Sequence, residues 1–189
     1  FCTSFSTCVS ICCCTSGNAV EIVRHYPDDE VIFVPDAHLG AVVAKKLNRD
    51  LILWPGYCPT HARISPQDLL DLKKAHPQAI AMAHPECPLR VLQVADEILS
   101  TGQMCTFARE NPAREFIVVT EEGLLHRLRK ENPAKTFYHI SPYAVCPNMK
   151  QNTLEKLYFC LRDGQPVVTV DPATAARARR AIEQMLAWS

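Results

Sequence analysis

The 189-residue sequence has no excess of either charge: Lys and Arg number 20, and so do Asp and Glu. A balanced chain offers no electrostatic footprint for nucleic acid or an anionic membrane, so neither is expected as a partner. Long apolar runs are also missing. A bilayer span needs roughly 20 consecutive apolar residues, and polar residues or proline break every stretch well before that. The first residues carry no basic run, so no export signal is expected and the expected compartment is the cytoplasm. The chain opens on Phe1 rather than Met, which reads as a chain whose beginning lies upstream. No two cysteines take Cys-x-x-Cys spacing, which excludes the compact metal knots of zinc ribbons and ferredoxins.

What is abundant is cysteine itself, with ten residues, in a chain that is 48% hydrophobic. The length suits one large or two small domains of roughly 100–200 residues each. In a chain of this size with no export signal, many cysteines point to metal-binding or reactive thiols in a reducing compartment rather than to a disulfide scaffold. Five of them (Cys2, Cys8, Cys12, Cys13, Cys14) crowd the opening stretch Phe1–Cys14, which has no charged residue and no clean period. That stretch reads at most as a buried strand cut short. The others (Cys58, Cys87, Cys105, Cys146, Cys160) are scattered.

From Asn18 onward the pattern is regular. Short apolar runs at Val31–Pro35, Leu51–Pro55, Ala79–Ala83, Glu97–Leu99, Glu115–Thr120, Thr136–Ile140 and Val167–Val170 read as strands. Between them lie helical stretches: one from Asn18, then Ala37–Leu47, Ser65 to Ala75, Pro88 to Ala95, one ending before Pro112, and Glu121–Lys130. Asn152–Leu161 follows, closed by Gly164, and Pro172–Trp188 ends the chain. Strands alternating with helices of about ten residues mean parallel sheets built from βα units. Such sheets carry their chemistry at the C-terminal ends of the strands.

The residues after the strands are unusually rich in chemistry. They read Pro55-Gly56-Tyr57-Cys58-Pro59-Thr60-His61, His84-Pro85-Glu86-Cys87-Pro88, Ser100-Thr101-Gly102-Gln103, Thr120-Glu121-Glu122-Gly123 and Cys146-Pro147-Asn148-Met149. Three are Cys-Pro pairs, and proline stiffens a loop that carries a ligand, so Cys58, Cys87 and Cys146 are candidate metal ligands. His84 and Glu86 lie on one side of an extended segment and can exchange protons near neutral pH. Equally, His84 could simply pack while Glu86 caps a helix. Ser16, Ser100 and Thr101 precede helices and read either as anion-binding hydroxyls or as caps. Asp36 and His38 read as a cap and a helix-surface histidine. Alternatives from other classes are a non-catalytic iron–sulfur or zinc module, and a thiol redox sensor built on Cys12, Cys13 and Cys14.

The segments Pro35-Asp36-Ala37-His38-Leu39-Gly40, Trp54-Pro55-Gly56-Tyr57-Cys58, His84-Pro85-Glu86-Cys87-Pro88, Ser100-Thr101-Gly102-Gln103, Glu122-Gly123-Leu124-Leu125-His126 and Cys146-Pro147-Asn148-Met149-Lys150 together resemble the quinolinate synthase family, in the family's order. The resemblance runs from about Cys13 to the C-terminus. It implies an α/β fold of repeated three-layer α-β-α units with short parallel sheets: two of three pseudo-symmetric domains plus a C-terminal helix. The second domain would be 1–62, the third 63–150, and 151–189 a strand and helix packing back on a first domain upstream. It implies a [4Fe–4S] cluster held by Cys58 and Cys146, with a third cysteine upstream of Phe1, and it removes Cys87 from the ligand set. It further implies that Ser16, His84, Glu86, Ser100 and Thr101 hold substrate, with His84 and Glu86 catalytic. The implied substrates are iminosuccinate and dihydroxyacetone phosphate, condensed to quinolinate for NAD biosynthesis, with a functional link to the enzyme that supplies iminosuccinate. The family's Tyr-x-Asn motif, expected about fifteen residues before Ser16, is not matched by Phe1-Cys2-Thr3-Ser4-Phe5. The 189 residues alone are expected to be inactive.

Overall fold

The computed structural model describes residues 10–189. Most of the charge-free opening, with Cys2, Cys8 and the segment expected to align with the Tyr-x-Asn motif, lies outside the described residues. Residues 10–14 form no strand, and the Cys13 amide donates to the Ala181 carbonyl at 3.1 Å.

The chain then alternates as its periodicity dictates. It runs α1 (Ala19–Arg24), β1 (Ile32–Phe33), α2 (Ala37–Leu47), β2 (Ile52–Leu53), α3 (Pro59–Ala62), α4 (Pro66–Ala75), β3 (Ile80–Ala83) and α5 (Leu89–Leu92). It continues with β4 (Glu97–Ile98), α6 (Thr101–Glu110), β5 (Glu115–Val119), α7 (Leu124–Glu131), β6 (Thr136–His139), α8 (Leu154–Asp163) and α9 (Pro172–Ala187). A single 3-10 turn, Met149–Gln151, sits between β6 and α8.

β1 and β2 pair in parallel, Ile32 opposite Ile52 and Phe33 opposite Leu53. α2 covers them with Leu39 and Val43 against Phe33. Gly40 permits the close approach: a Cβ there would sit 2.6 Å from Leu53 Cδ2 and 2.9 Å from Phe33 Cδ1. The second sheet has four parallel strands in the order β4-β3-β5-β6. Because side chains alternate along a strand, its two faces separate cleanly. Ala81, Ala83, Ile117 and Val119 face Leu69 of α4 and Val91 of α5. Met82, Phe116, Val118 and Phe137 face Met104 and Ala108 of α6 and Leu128 of α7. The result is a three-layer α-β-α sandwich. Its strand order reverses between β3 and β5, the place where open parallel sheets leave a crevice beyond the strand ends.

Three expectations shift. Helix α7 begins at Leu124 rather than Glu121, because the Glu121 side chain turns back to accept the Gly123 amide at 2.7 Å. Helix α5 stops at Leu92, short of Ala95. Val167–Val170 is no strand: these residues pair with neither sheet, and Val167, Val168 and Val170 are exposed. A strand is stabilised by its neighbours, and none reaches this segment among the described residues. Helix α8 forms as expected between Thr153, whose hydroxyl accepts the Lys156 amide, and Gly164, which closes it at φ +63. No helix of the described residues is long and apolar enough to cross a membrane.

Candidate functional site

Four loops, each following a strand, are tied together at one edge. After β2, Cys58 precedes α3, whose first residue Pro59 starts a helical turn without needing a backbone donor. That turn carries His61, three residues on, to the same side as Cys58. After β3, the His84 amide donates to the Val119 carbonyl, which seats the His84-Pro85-Glu86 segment beside the end of β5. After β5 come Thr120 and Glu121, both buried. After β6, a loop brings in Cys146.

His61 joins three of these loops. Its Nε2 lies 2.8 Å from the Thr120 hydroxyl and its Nδ1 lies 3.1 Å from Glu86 Oε2. The carboxylate approaches Nδ1 outside good hydrogen-bond geometry, so this buried nitrogen has a close charge partner without a directed bond. The His61 ring also stacks on His84, with centroids 4.7 Å apart. His84 Nδ1 accepts the Glu86 amide at 3.3 Å and lies 3.8 Å from Glu86 Oε2.

The electrostatics give the two histidines opposite roles. Burial alone would push His61 down, but the Cys58 thiolate and the Glu86 carboxylate outweigh it and hold the imidazole up at about 9. Burial pushes His84 down to about 4, and the neighbouring His61 charge adds to this. At neutral pH His61 is therefore a cation and His84 is neutral. With its Nδ1 accepting, neutral His84 carries its proton on Nε2. Burial raises Glu86, yet the cationic His61 ring 3.1 Å away outweighs it, leaving the carboxyl below its ordinary range. Burial likewise raises Cys58, and the cationic His61 side chain beside it, with the His61 and Thr60 amides, overcomes it, so the thiol is lowered towards the thiolate.

Both Cys-Pro loops expected to bind metal are held by a buried acid. Asp36 caps α2 by accepting the Leu39 amide at 2.8 Å, and its other oxygen accepts the Cys58 amide at 2.9 Å. Glu121 accepts the Gly123 amide with one oxygen and the Cys146 amide, at 3.2 Å, with the other. Lys150 Nζ neutralises Glu121 at 3.1 Å. The donor chemistry fits a soft metal centre: two half-buried thiols on stiffened loops, one shifted towards the thiolate form. Cys58, His61 and Glu86 by themselves also offer three donor atoms within 4.8 Å of one another.

Of the other expected residues, Ser16 and Ser100 line one cleft of about 270 Å³, together with Pro85, Arg24 and Lys46. Ser16 is not a cap, since Asn18 takes that position. Ser100 is the cap of α6, where its hydroxyl accepts the Gln103 amide and the Gln103 side chain accepts the Ser100 amide. Thr101 occupies the first turn of α6, exposed and outside the cleft. Cys87 is fully buried in the core, its Sγ against the Val119 carbonyl at 3.5 Å. Burial pushes Cys12, Cys13 and Cys14 up, the last to about 12, the opposite of what a redox-sensing thiol needs. Sequence reasoning gave no role to His61 or Glu121. The one available signal for His61 was its spacing of three from Cys58 across a proline that opens a helix.

The family described as quinolinate synthetase A protein matches residues 4–187, nearly the whole chain. The chain belongs to the quinolinate synthase family. It is 50% identical over 174 residues to the quinolinate synthase of Dehalococcoides mccartyi, covering 92% of this chain and 58% of that protein. With quinolinate synthase 1 of Methanosarcina acetivorans it shares 50% over 178 residues, 94% of this chain and 59% of the relative. With the quinolinate synthase of Geotalea uraniireducens it shares 46% over 179 residues, 95% of this chain and 59% of the relative. The chain thus spans somewhat more than half the length of the curated relatives it matches. The family match starts earlier than the resemblance read from motifs, inside the cysteine-rich opening.

Proposed function

We propose that this chain is the larger part of a quinolinate synthase, which condenses iminosuccinate with dihydroxyacetone phosphate to quinolinate in NAD biosynthesis. The observation that supports it most is the meeting of Cys58, His61, His84 and Glu86 at the strand ends of a chain of this family. In this reading Cys58 and Cys146 hold a [4Fe–4S] cluster, with a third cysteine in the part of the family's length outside these residues. When bound, the cluster supplies an iron that acts as a Lewis acid towards substrate oxygens.

The chain's own groups then have distinct tasks. His84 donates its Nε2 proton to a substrate carboxylate or hydroxyl. Glu86, kept ionised by His61, accepts a proton or holds the imine nitrogen. Ser16, Ser100 and Thr101 orient carboxylates, Ser100 doing so while capping α6. Residues 1–62 and 63–150 correspond to two repeated α/β units. Residues 151–189 carry Leu154, Leu157, Leu161, Val167 and Val168 exposed, and in this reading they cover the remaining unit, so turnover needs the whole protein.

A second reading rests on the Cys58–His61–Glu86 group alone, which suits a single divalent ion in a non-catalytic module. Full-length protein purified without oxygen separates the two. The synthase reading expects iron and acid-labile sulfide in equal amounts, lost in Cys58→Ala and Cys146→Ala. It also expects Glu86→Gln to keep its iron while turnover falls on the order of 100-fold. Metal without sulfide would establish the second reading, and normal turnover in Glu86→Gln would remove Glu86 from the mechanism.

A further inference from the structure

The two candidate ligand loops share a device that neither sequence motif contains. Asp36 follows β1 and Cys58 follows β2, the parallel neighbour of β1. Glu121 follows β5 and Cys146 comes after β6, the parallel neighbour of β5. In both units a buried carboxylate after one strand uses one oxygen for an amide of its own following turn. It uses the other for the backbone amide of the cysteine after the neighbouring strand. Ordinary helix capping explains the first bond of Asp36, and a local turn ahead of α7 explains that of Glu121. Neither explains the second, which crosses 22 residues of sequence for Asp36 and 25 for Glu121.

We propose that Asp36 and Glu121 are positioning residues that fix the Cys58 and Cys146 loops so that the thiolates are presented to the metal centre; this rests on the reading of those cysteines as ligands. A carboxylate that accepts an amide makes a stronger, shorter bond than a neutral acceptor. Anchoring the backbone of a ligand removes the loop freedom that would otherwise be lost on metal binding, and groups behind the ligands tune affinity in this way. The two anchors differ in their surroundings. Lys150 stands beside Glu121, whereas among the described residues no lysine or arginine pairs with Asp36. Thr120, next to Glu121, also bonds His61, which lies beside Cys58, so the two anchored loops are joined to each other.

The test uses the full-length protein with its cluster, prepared without oxygen, and reads iron release to a chelator. Asp36→Ser keeps a good cap for α2 but is too short to reach Cys58. Glu121→Gln keeps one acceptor and loses the charge. Each variant is expected to release iron on the order of 10-fold faster than the parent, while the unfolding midpoint of the metal-free protein stays unchanged. Release at the parental rate, or faster release accompanied by a matching fall of the metal-free midpoint, would overturn the proposal. Cys58→Ala and Cys146→Ala distinguish the levels: if they keep iron and sulfide, the ligand reading itself fails. If they lose both while Asp36→Ser and Glu121→Gln behave like the parent, only the anchoring role fails.

Discussion

His61 Nδ1 lies 3.1 Å from Glu86 Oε2, closer than the 3.8 Å between Glu86 and His84, its neighbour in the sequence. The acid–imidazole pair of this site is therefore formed across two βα units rather than within the His-Pro-Glu motif. His84 is left neutral, stacked against the cationic His61 ring.

His61→Ala tests how far this contact supports the fold. Thr120 loses the partner of a buried hydroxyl, and Glu86 loses its nearest cation. Leaving buried polar groups unsatisfied costs about 1–3 kcal/mol. A urea titration is expected to show a destabilisation in that range; an unchanged midpoint would mean that the His61 contacts are energetically neutral.

Gly56→Ala addresses the loop ahead of Cys58. A Cβ on Gly56 would press against the Pro35 carbonyl oxygen, which is backbone, and sit 3.0 Å from Trp54 Cδ1. Moving backbone to relieve such a clash costs about 1–3 kcal/mol. The loop also holds the start of α2, since the Ala37 amide donates to the Gly56 carbonyl at 2.8 Å. Thermal unfolding should show a lower midpoint for the variant.

Cys87 serves as a packing residue. It is fully buried, and burial pushes its thiol well above the ordinary range. Iodoacetamide at pH 8 is expected to spare Cys87 until denaturant opens the core, as mass spectrometry of peptides would show. Rapid labelling of the native protein would contradict the packing seen around β5.

Asp171 gives the C-terminal helix a pH dependence. Its carboxylate caps α9 by accepting the Thr174 amide at 2.9 Å, and this bond holds the carboxyl below the usual range. A depressed folded-state value means that the stabilisation is present above the unfolded value of about 4. It is lost as the pH falls through the folded value. Asp171→Asn, which caps without titrating, should show less acid-induced loss of helix by circular dichroism between roughly pH 5 and pH 2, the range over which a carboxylate titrates.

Much of this architecture is written locally. The Ser65-Pro66 start of α4, the Gly164 end of α8 and the period-two pattern of Phe116 to Val119 depend on a few adjacent residues, so they can be read from the sequence. The same holds for the candidate chemistry. Cys58, His84, Glu86 and Cys146 stand immediately after predicted strands or the loop that follows one, and parallel sheets collect such positions at one edge. Val167–Val170 shows the limit of local reading: four residues suited to a strand form none, because a strand needs a neighbour.

The sequence by itself determined the alternation of strands and helices, the caps and the family. Only the tertiary structure decided which groups meet. Asp36 reaches Cys58, Glu121 reaches Cys146, and His61 reaches both Glu86 and Thr120. The separation in sequence carries no trace of these contacts. Parallel pairing brings together strand ends that a whole helix separates along the chain, so the pairing of β1 with β2 made Asp36 and Cys58 neighbours, and that of β5 with β6 made Glu121 and Cys146 neighbours. His61 follows a strand of the other sheet, so its contacts with Glu86 and Thr120 come from one sheet's loops packing against the other's.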